Sequence, residues 1–131
     1  MILFVCDRNA SLSPMAEAIA AHLAPQLNIQ SAGRIATHVR AGVGRVLQED
    51  RIFSNGLVSK AIQSVDWDEV KLVVALVPEG DGPRVPSRYK CHRWSLPDPL
   101  WAPQEEREEA MRDLRDELKR RIEKLYKELE L

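Results

Sequence analysis

Short apolar runs alternate with segments of helical period along this 131-residue chain, and that alternation limits the folds it can adopt. A strand buried on both faces of a parallel sheet is a continuous apolar run, whereas a helix packed on the sheet repeats its apolar residues with helical period. The predicted strands are Met1–Val5, Leu27–Ser31, Val70–Val77 and Cys91–Leu96. The predicted helices begin at Ser13-Pro14, cover Val39–Leu47 and Val58–Ser64, and begin again at Pro103. This order predicts an α/β fold, a three-layer α/β/α domain over residues 1–131 with a four-stranded parallel sheet.

The balance of charge and the cysteine content exclude several classes of protein. The chain carries 19 Lys and Arg against 20 Asp and Glu, for a formal net charge of −1. Proteins that bind nucleic acid or membrane surfaces usually carry a basic excess, so we expect neither partner. Cys6 and Cys91 are too few for a disulfide scaffold, which favours a cytoplasmic protein with reduced thiols. We expect a monomer or weak homodimer, with no cofactor and no metal site.

Charged residues concentrate in the last predicted helix. Its apolar residues form one stripe at helical spacing, namely Met111, Leu114, Leu118, Ile122, Leu125 and Leu129. Opposite charges lie at i,i+4 spacing on the other faces, in the pairs Asp116–Arg120, Glu117–Arg121 and Glu123–Lys127. We therefore expect this helix to pack on the sheet with its charged side in water. A coiled-coil partner is the alternative.

The loop after the first strand holds the residues best suited to chemistry. Cys6 ends the strand, and the helix that follows begins at Ser13-Pro14. Backbone N–H groups in such a loop can point inward and bind an anion, and the helix dipole adds partial positive charge. The same field lowers the pKa of a thiol, so Cys6 is a candidate nucleophile that Ser13 could assist. A buried, inert thiol is the alternative.

Motifs along essentially the whole chain resemble those of one family. They are Val5-Cys6, Asn9, Ser13-Pro14-Met15-Ala16-Glu17, Ser31-Ala32-Gly33, Ser59-Lys60, Trp94 and Pro97-Asp98-Pro99. In this order they resemble the low-molecular-weight protein tyrosine phosphatases and the related arsenate reductases. Ser59-Lys60 and the tryptophan before the Asp-Pro pair favour the arsenate-reductase branch.

The resemblance implies a phosphate-binding loop and a two-step hydrolysis. Cys6 would attack phosphorus, and Asp98 would protonate the leaving oxygen and then deprotonate the attacking water. Asn9 would stabilise the loop, and Ser13 would assist the thiolate. The anion-binding residues implied are Asp7, Arg8, Asn9, Ala10, Ser11, Leu12 and Ser13. A phosphate-like oxyanion or a phosphotyrosine is the ligand that this loop would take.

The chain departs from the family at the residue that supplies positive charge. The family loop is Cys-x5-Arg-Ser, and Leu12 stands where the family has arginine. Leucine cannot make the bidentate contacts of a guanidinium, and loss of one donor to a transition-state charge costs about 10²–10³ in rate. Arg8 is the nearest cation and could reach the anion from the rim, although a solvent-facing side chain is favoured. Asp7 adds negative charge beside Cys6.

Two further expectations concern the neighbourhood of the loop. The arsenate-reductase branch relays a disulfide through additional cysteines, and the first relay position falls near Val77, so only a Cys6–Cys91 pair would remain. Trp101 lies where the family often places an aromatic residue beside the substrate, although packing on the body of the protein is equally compatible.

Three functions are compatible with these residues. The first is an impaired or inactive family member that retains an anion-binding loop. The second is an active cysteine-dependent phosphatase or arsenate reductase in which another cation replaces the missing arginine. The third is a non-catalytic interaction domain that uses the C-terminal helix.

Overall fold

The computed structural model describes residues 1–78 and 80–131 and contains one parallel sheet. Its strands are β1 (Ile2–Cys6), β2 (Ile29–Gly33), β3 (Leu72–Ala75) and β4 (Cys91–Arg93). They lie in the order β2-β1-β3-β4, and every pair is parallel. The continuous apolar run of β1 fits its central position, because both of its edges are hydrogen-bonded and both of its faces are buried. The predicted α/β class and four-stranded parallel sheet are confirmed.

Side-chain alternation along β1 divides the core into two parts. Phe4 and Cys6 lie in a cluster with residues of α1 (Leu12–Leu23), α2 (Ala41–Glu49) and α3 (Arg107–Glu128). Leu3 and Val5 belong to the cluster on the other face, which is covered by short 3₁₀ turns and by aromatic side chains. Those turns are Ile62–Ser64 and Trp67–Glu69, and the Trp67 ring lies 4.9 Å from that of Tyr89.

The first two strands lie one or two residues later than predicted, and the last two strands are shorter than predicted. Val70, Leu76 and Val77 are buried although they lie outside β3, so burial continues past the hydrogen-bonded ladder. The fourth run ends as a strand at Arg93 instead of Leu96. Apolar runs therefore locate all four strands but overestimate the length of β3 and β4, because such runs report burial and not backbone pairing.

The first helix begins at Leu12, before the predicted start at Ser13-Pro14. Pro14 fits inside the first turn because the N–H groups there have no helical acceptor. Ser11 occupies the N-cap position without a capping hydrogen bond from its side chain. The hydroxyl of Ser13, the residue predicted as the cap, instead lies near Cys6 and Asn9.

The helix predicted over Val58–Ser64 is wrong, apart from the 3₁₀ turn at its end. The backbone of this segment makes hydrogen bonds to other parts of the chain. The Lys60 N–H donates to the Asn9 side chain, and the Lys60 carbonyl accepts from Gly33 N–H. Hydrogen bonds to two other segments replace those that a helix would have made within itself.

The last helix begins at Arg107, after a 3₁₀ turn over Gln104–Glu106, and not at Pro103. Its apolar stripe is buried as predicted. The Glu117–Arg121 pair forms at 3.0 Å, whereas Arg120 also turns to Glu117 and not to Asp116. Two carboxylate-to-guanidinium contacts therefore converge on a single glutamate.

A buried arginine joins α3 to the end of α2. Arg115 Nη1 donates to the carbonyl of Val46 and to Glu49 Oε1, both at 2.8 Å. Arg112 binds the same glutamate, with Nη2 at 2.9 Å from Oε2. Hydrogen bonds from Arg112 and then Arg115 lower the pKa of Glu49 to about 2. The pair of helices is thus held by an ion-pair network as well as by its apolar stripe.

This network predicts a specific loss of stability in acid. The pKa of Glu49 in the folded chain lies below its ordinary value, so its contribution is present at neutral pH and is lost as the pH falls from about 4.5 towards about 2. We expect Glu49→Gln to show a smaller loss of unfolding free energy than the wild type over this interval, measured by urea denaturation. Glu123→Gln is the control, because Glu123 is an exposed glutamate of α3. Parallel pH curves for wild type and Glu49→Gln would contradict the assignment.

Candidate active site

The loop from Asp7 to Ser11 crosses the carboxyl end of the sheet between β1 and α1. Most of it is buried, and only Arg8 is fully exposed. The backbone N–H groups from Asp7 to Ser13 donate to no acceptor within residues 1–78 and 80–131. A run of buried donors without acceptors is costly unless water or an anion binds them. Backbone donors left without protein acceptors in this way are typical of loops that can bind an anion.

Asn9 fixes the shape of the loop from its centre. Its side chain is fully buried, and Nδ2 donates to Ser13 Oγ at 2.8 Å and to Ser31 Oγ at 3.0 Å. Its Oδ1 accepts from the Lys60 N–H at 2.7 Å. The residue has φ 49°, a left-handed conformation that asparagine tolerates better than most residues. One amide therefore holds α1, β2 and the segment at Lys60 around the loop.

The thiol of Cys6 has a single close polar neighbour. Its Sγ lies 2.8 Å from Ser13 Oγ, and the residue is only 4% exposed. Because Asn9 already donates to Ser13 Oγ, the hydroxyl proton of Ser13 is free to point at the sulfur. The geometry therefore suits a hydrogen bond from the Ser13 hydroxyl to the sulfur of Cys6.

A second chain of polar contacts lies behind Asn9. Ser31 Oγ donates to Glu17 Oε1 at 2.5 Å, and Lys60 Nζ lies 3.7 Å from the same carboxylate oxygen. These residues belong to the motifs that the sequence analysis quoted, but no role was assigned to them there. Their role in the structure is to hold the partners of Asn9 in place.

Leu12 occupies the position of the missing arginine as an apolar core residue. It is 4% exposed, it begins α1, and it belongs to the apolar cluster that also contains Cys6, Val77 and Leu96. It also lines the cavity above the loop. The wall that would hold a guanidinium is hydrophobic in this chain.

The structure brings the predicted nucleophile and general acid to one cavity of about 460 Å³. Cys6 lies on one side, and Asp98 lies opposite on the loop after β4. Asp98 Oδ1 accepts from Ser11 Oγ at 3.1 Å and from Leu100 N–H at 2.9 Å. Trp101 lines the cavity but is 77% exposed, which agrees with a place beside a ligand and not with packing on the body.

A third wall of the cavity comes from the segment after β3. A Cβ built on Gly82 would lie 2.9 Å from Val77 Cγ2 and 3.6 Å from the backbone of Cys6, and this glycine has φ +77°. Gly82 therefore lies close to the backbone of Cys6, and Val77, Gly80 and Asp81 also line the cavity.

Asp7 is neutralised by two arginines at the rim. Arg34 Nε lies 2.8 Å from Asp7 Oδ1, and Arg8 Nε lies 3.7 Å from Oδ2. Asp7 therefore does not act as the isolated negative charge that its position beside Cys6 suggested. The Arg8 side chain is 63% exposed, in line with the expected solvent-facing position. Arg34 was missed, although its place directly after β2, the neighbour of β1, could have indicated it.

The two cysteines are separated by the sheet. Cys91 pairs in register with Val73, and Val73 pairs with Leu3. Strand geometry then puts Cys6 and Cys91 roughly 14 Å apart. Cys91 packs with the cluster opposite that of Cys6. Since a disulfide needs Cα atoms within about 7 Å, the two cannot pair without rearrangement of the sheet.

Neither a metal cluster nor a membrane span is found in the described part of the chain. No group of three or more His, Cys, Asp and Glu side chains is placed to hold a metal ion there. None of its helices is both long enough and apolar enough to cross a bilayer.

Comparison with known proteins gives a consistent result. A family model described as low molecular weight phosphotyrosine protein phosphatase matches residues 1–131. The chain is 29% identical over 129 residues to a glutaredoxin arsenate reductase from Synechocystis, covering 95% of this chain and 94% of that protein. It is 27% identical to an arsenate reductase solved in the phosphate-binding state, with a TM-score of 0.82 and coverage of 97% and 96%. A tyrosine phosphatase from Erwinia amylovora, 19% identical with a TM-score of 0.77 and coverage of 94% and 88%, shares the fold.

The close approach of β2 to the loop predicts that Gly33 is irreplaceable. A Cβ there would lie 2.6 Å from Asn9 N and 2.9 Å from the Arg8 carbonyl carbon, both backbone atoms that cannot give way cheaply. We expect Gly33→Ala to destabilise the fold by about 2–3 kcal/mol in urea denaturation. Gly44→Ala is the matched control, because Gly44 lies within α2 with only an ordinary 3.5 Å contact and should gain up to about 1 kcal/mol. Equal effects at the two sites would refute this account.

The hydrogen bonds of Asn9 predict that truncating its side chain is costly. Asn9→Ala would leave the Lys60 N–H without its acceptor and would put alanine at a positive φ. We expect a loss of about 1–3 kcal/mol in unfolding free energy. Asn55→Ala, at an exposed position, should change it by less than about 0.5 kcal/mol. A loss of similar size in both variants would show that Asn9 does not organise the loop.

Proposed function

Because this chain belongs to the low-molecular-weight phosphotyrosine protein phosphatase family, we propose that it is an impaired or inactive member that retains an anion-binding loop over Cys6–Ser13. The observation that carries the proposal is the burial of Leu12 in the apolar cluster beside Cys6. The shape of the loop is kept while the guanidinium that would bind the phosphoryl oxygens is replaced. A cytoplasmic location and a monomeric or weakly dimeric state stay predictions.

Retention of anion binding is supported by the backbone of the loop. Its N–H groups from Asp7 to Ser13 find no acceptor within the described residues, and Asn9 holds them in place. Backbone donors do not depend on the residue at position 12. We therefore expect a phosphate-like oxyanion to bind here, as phosphate does in the arsenate reductase solved in its phosphate-binding state.

Impaired catalysis follows from the charge that the cavity lacks. A phosphoryl group spreads negative charge over its oxygens in the transition state, and a preorganised cation there supplies a large part of the rate. Leu12 supplies no positive charge. Arg8 and Arg34 lie at the rim, but each contacts Asp7 and is more than half exposed. Their attraction for an anion at Cys6 is therefore weakened by both pairing and solvent.

An active enzyme is the second candidate, and one observation favours it. Cys6 and Asp98 line the same cavity, which is the placement that nucleophilic attack and proton transfer require. In such an enzyme Arg8 or Arg34 would leave Asp7 to bind the oxyanion. The substrate would be a phosphate monoester or arsenate. The third candidate, an interaction domain using α3, requires no chemistry at Cys6.

Restoring the arginine tests the first proposal directly. We expect Leu12→Arg to raise the rate of aryl-phosphate hydrolysis by about 10²-fold or more over the wild type. Adding Cys6→Ser to Leu12→Arg should abolish the gain, and Leu12→Gln, which lacks the charge, should give little of it. Urea denaturation of each variant separates a catalytic effect from failure to fold.

Two results of this experiment would count against the proposal. Rapid hydrolysis by the wild type that Cys6→Ser abolishes would establish the active enzyme instead. A folded Leu12→Arg variant without any gain would mean that the loop has lost its catalytic geometry, which favours the interaction domain. A crystal of the wild type soaked in sulfate should show an anion against the N–H groups of the loop, and an empty loop would exclude retained anion binding.

A further inference from the structure

A second polar cleft lies on the far edge of the sheet, between β4 and the last turns of α3. It has a volume of about 400 Å³. We call it the basic cleft, and its lining residues are His92, Trp94, Arg120, Arg121, Lys124 and Glu128, with Leu125 at its base. It shares no lining residue with the cavity above Cys6. Neither the family resemblance nor the proposed function uses it.

Three cations of α3 converge on the basic cleft. Arg120, Arg121 and Lys124 lie within about one helical turn, so their side chains share one side of the helix. Glu117 contacts both arginines, at 2.6 and 3.0 Å. Lys124 makes no ion pair within the described residues. The three cations outnumber the two nearby carboxylates, Glu117 and Glu128. The cleft is therefore locally positive in a chain whose net charge is −1.

The strand side of the basic cleft offers a buried nitrogen without a partner. His92 is in register with Val74, whose side chain lies in the cluster on the helical face, so His92 points towards α3. Its Nε2 is buried and has no hydrogen-bond partner among the described residues. In the tautomer that carries its proton on Nε2, this group is a donor that lacks an acceptor, and an unpaired buried donor is unfavourable.

We propose that the basic cleft is a second anion site, which binds a phosphate dianion or a diphosphate independently of the Cys6 loop. Arg121 and Lys124 would contact the anion oxygens by charge-assisted hydrogen bonds. The ring of His92 would line the strand side of the anion. Trp94, which packs against Phe4 with ring centroids 6.4 Å apart, would form the rigid wall beside the anion.

The three tryptophans make the two anion sites distinguishable in one experiment. Trp94 lines the basic cleft, Trp101 lines the cavity above Cys6, and Trp67 packs against Tyr89 on the other face of the sheet. Their indole N–H signals in ¹⁵N-labelled protein can be assigned by Trp→Phe substitution one at a time. Titration with inorganic phosphate and then diphosphate, at constant ionic strength and pH, reports each location separately.

We expect a saturable shift of the Trp94 indole signal, with Trp67 unchanged. Lys124→Gln should weaken the affinity measured at Trp94 by about five- to tenfold, which is the effect of losing one charged contact. Lys127→Gln is the matched control, because it removes the same charge from the next turn of α3 but lies outside the basic cleft. The affinity measured at Trp94 in Lys127→Gln should equal that of the wild type.

Three outcomes would overturn the proposal. A shift at Trp101 alone would mean that the anion binds only at the Cys6 loop. An affinity at Trp94 that Lys124→Gln and Lys127→Gln reduce equally would reflect non-specific attraction of anions to the charge of α3. A Trp94 shift that rises linearly without saturation would show no site at all. Because Trp101 reports on the Cys6 loop by itself, the proposed function stands or falls independently of this result.

Discussion

The side-chain amide of Asn9 is the constraint on which the rest of the site depends. Its three hydrogen bonds reach α1, β2 and the segment that precedes the first 3₁₀ turn, so one side chain joins three separate parts of the chain. Because Asn9 is fully buried, water cannot replace these bonds. The left-handed turn that it adopts makes room for the close approach of Gly33. Backbone direction at the carboxyl end of β1 is therefore set by the buried side chain of one loop residue.

This dependence explains how the loop can keep its form without its cation. The groups that shape the loop, Asn9 and Ser13, are bonded to protein atoms, whereas the arginine of the family would be bonded to the ligand. Replacement of that arginine by Leu12 leaves every shaping contact in place and adds apolar packing with Val77 and Leu96. The hydrogen bonds that shape the loop therefore do not require the arginine.

Local sequence predicted those parts of the molecule that depend on local chemistry. The continuous apolar character of β1 and the apolar stripe of α3 were sufficient to place a central strand and a packed helix. Cys6 and Ser13 were indicated by their place between a strand end and a helix start, whereas the roles of Asn9 and Asp98 were implied by the family resemblance. Two features that depend on contacts between distant segments were not predicted. The Asp7–Arg34 ion pair requires the register of β1 against β2, and the absence of a helix at Val58 follows from its hydrogen bonds to Asn9 and Gly33.

The position of α3 in the fold has a consequence for how the chain reaches its native state. This helix covers the same face of the sheet as α1, and its ion pairs with α2 join residues 63 to 69 positions apart. Until α3 has been synthesised and has returned to the sheet, the face that carries Phe4 lacks part of its cover. Folding therefore waits on long-range closure, which is slow compared with helix formation. A partially made chain would expose this apolar face until α3 packs against it.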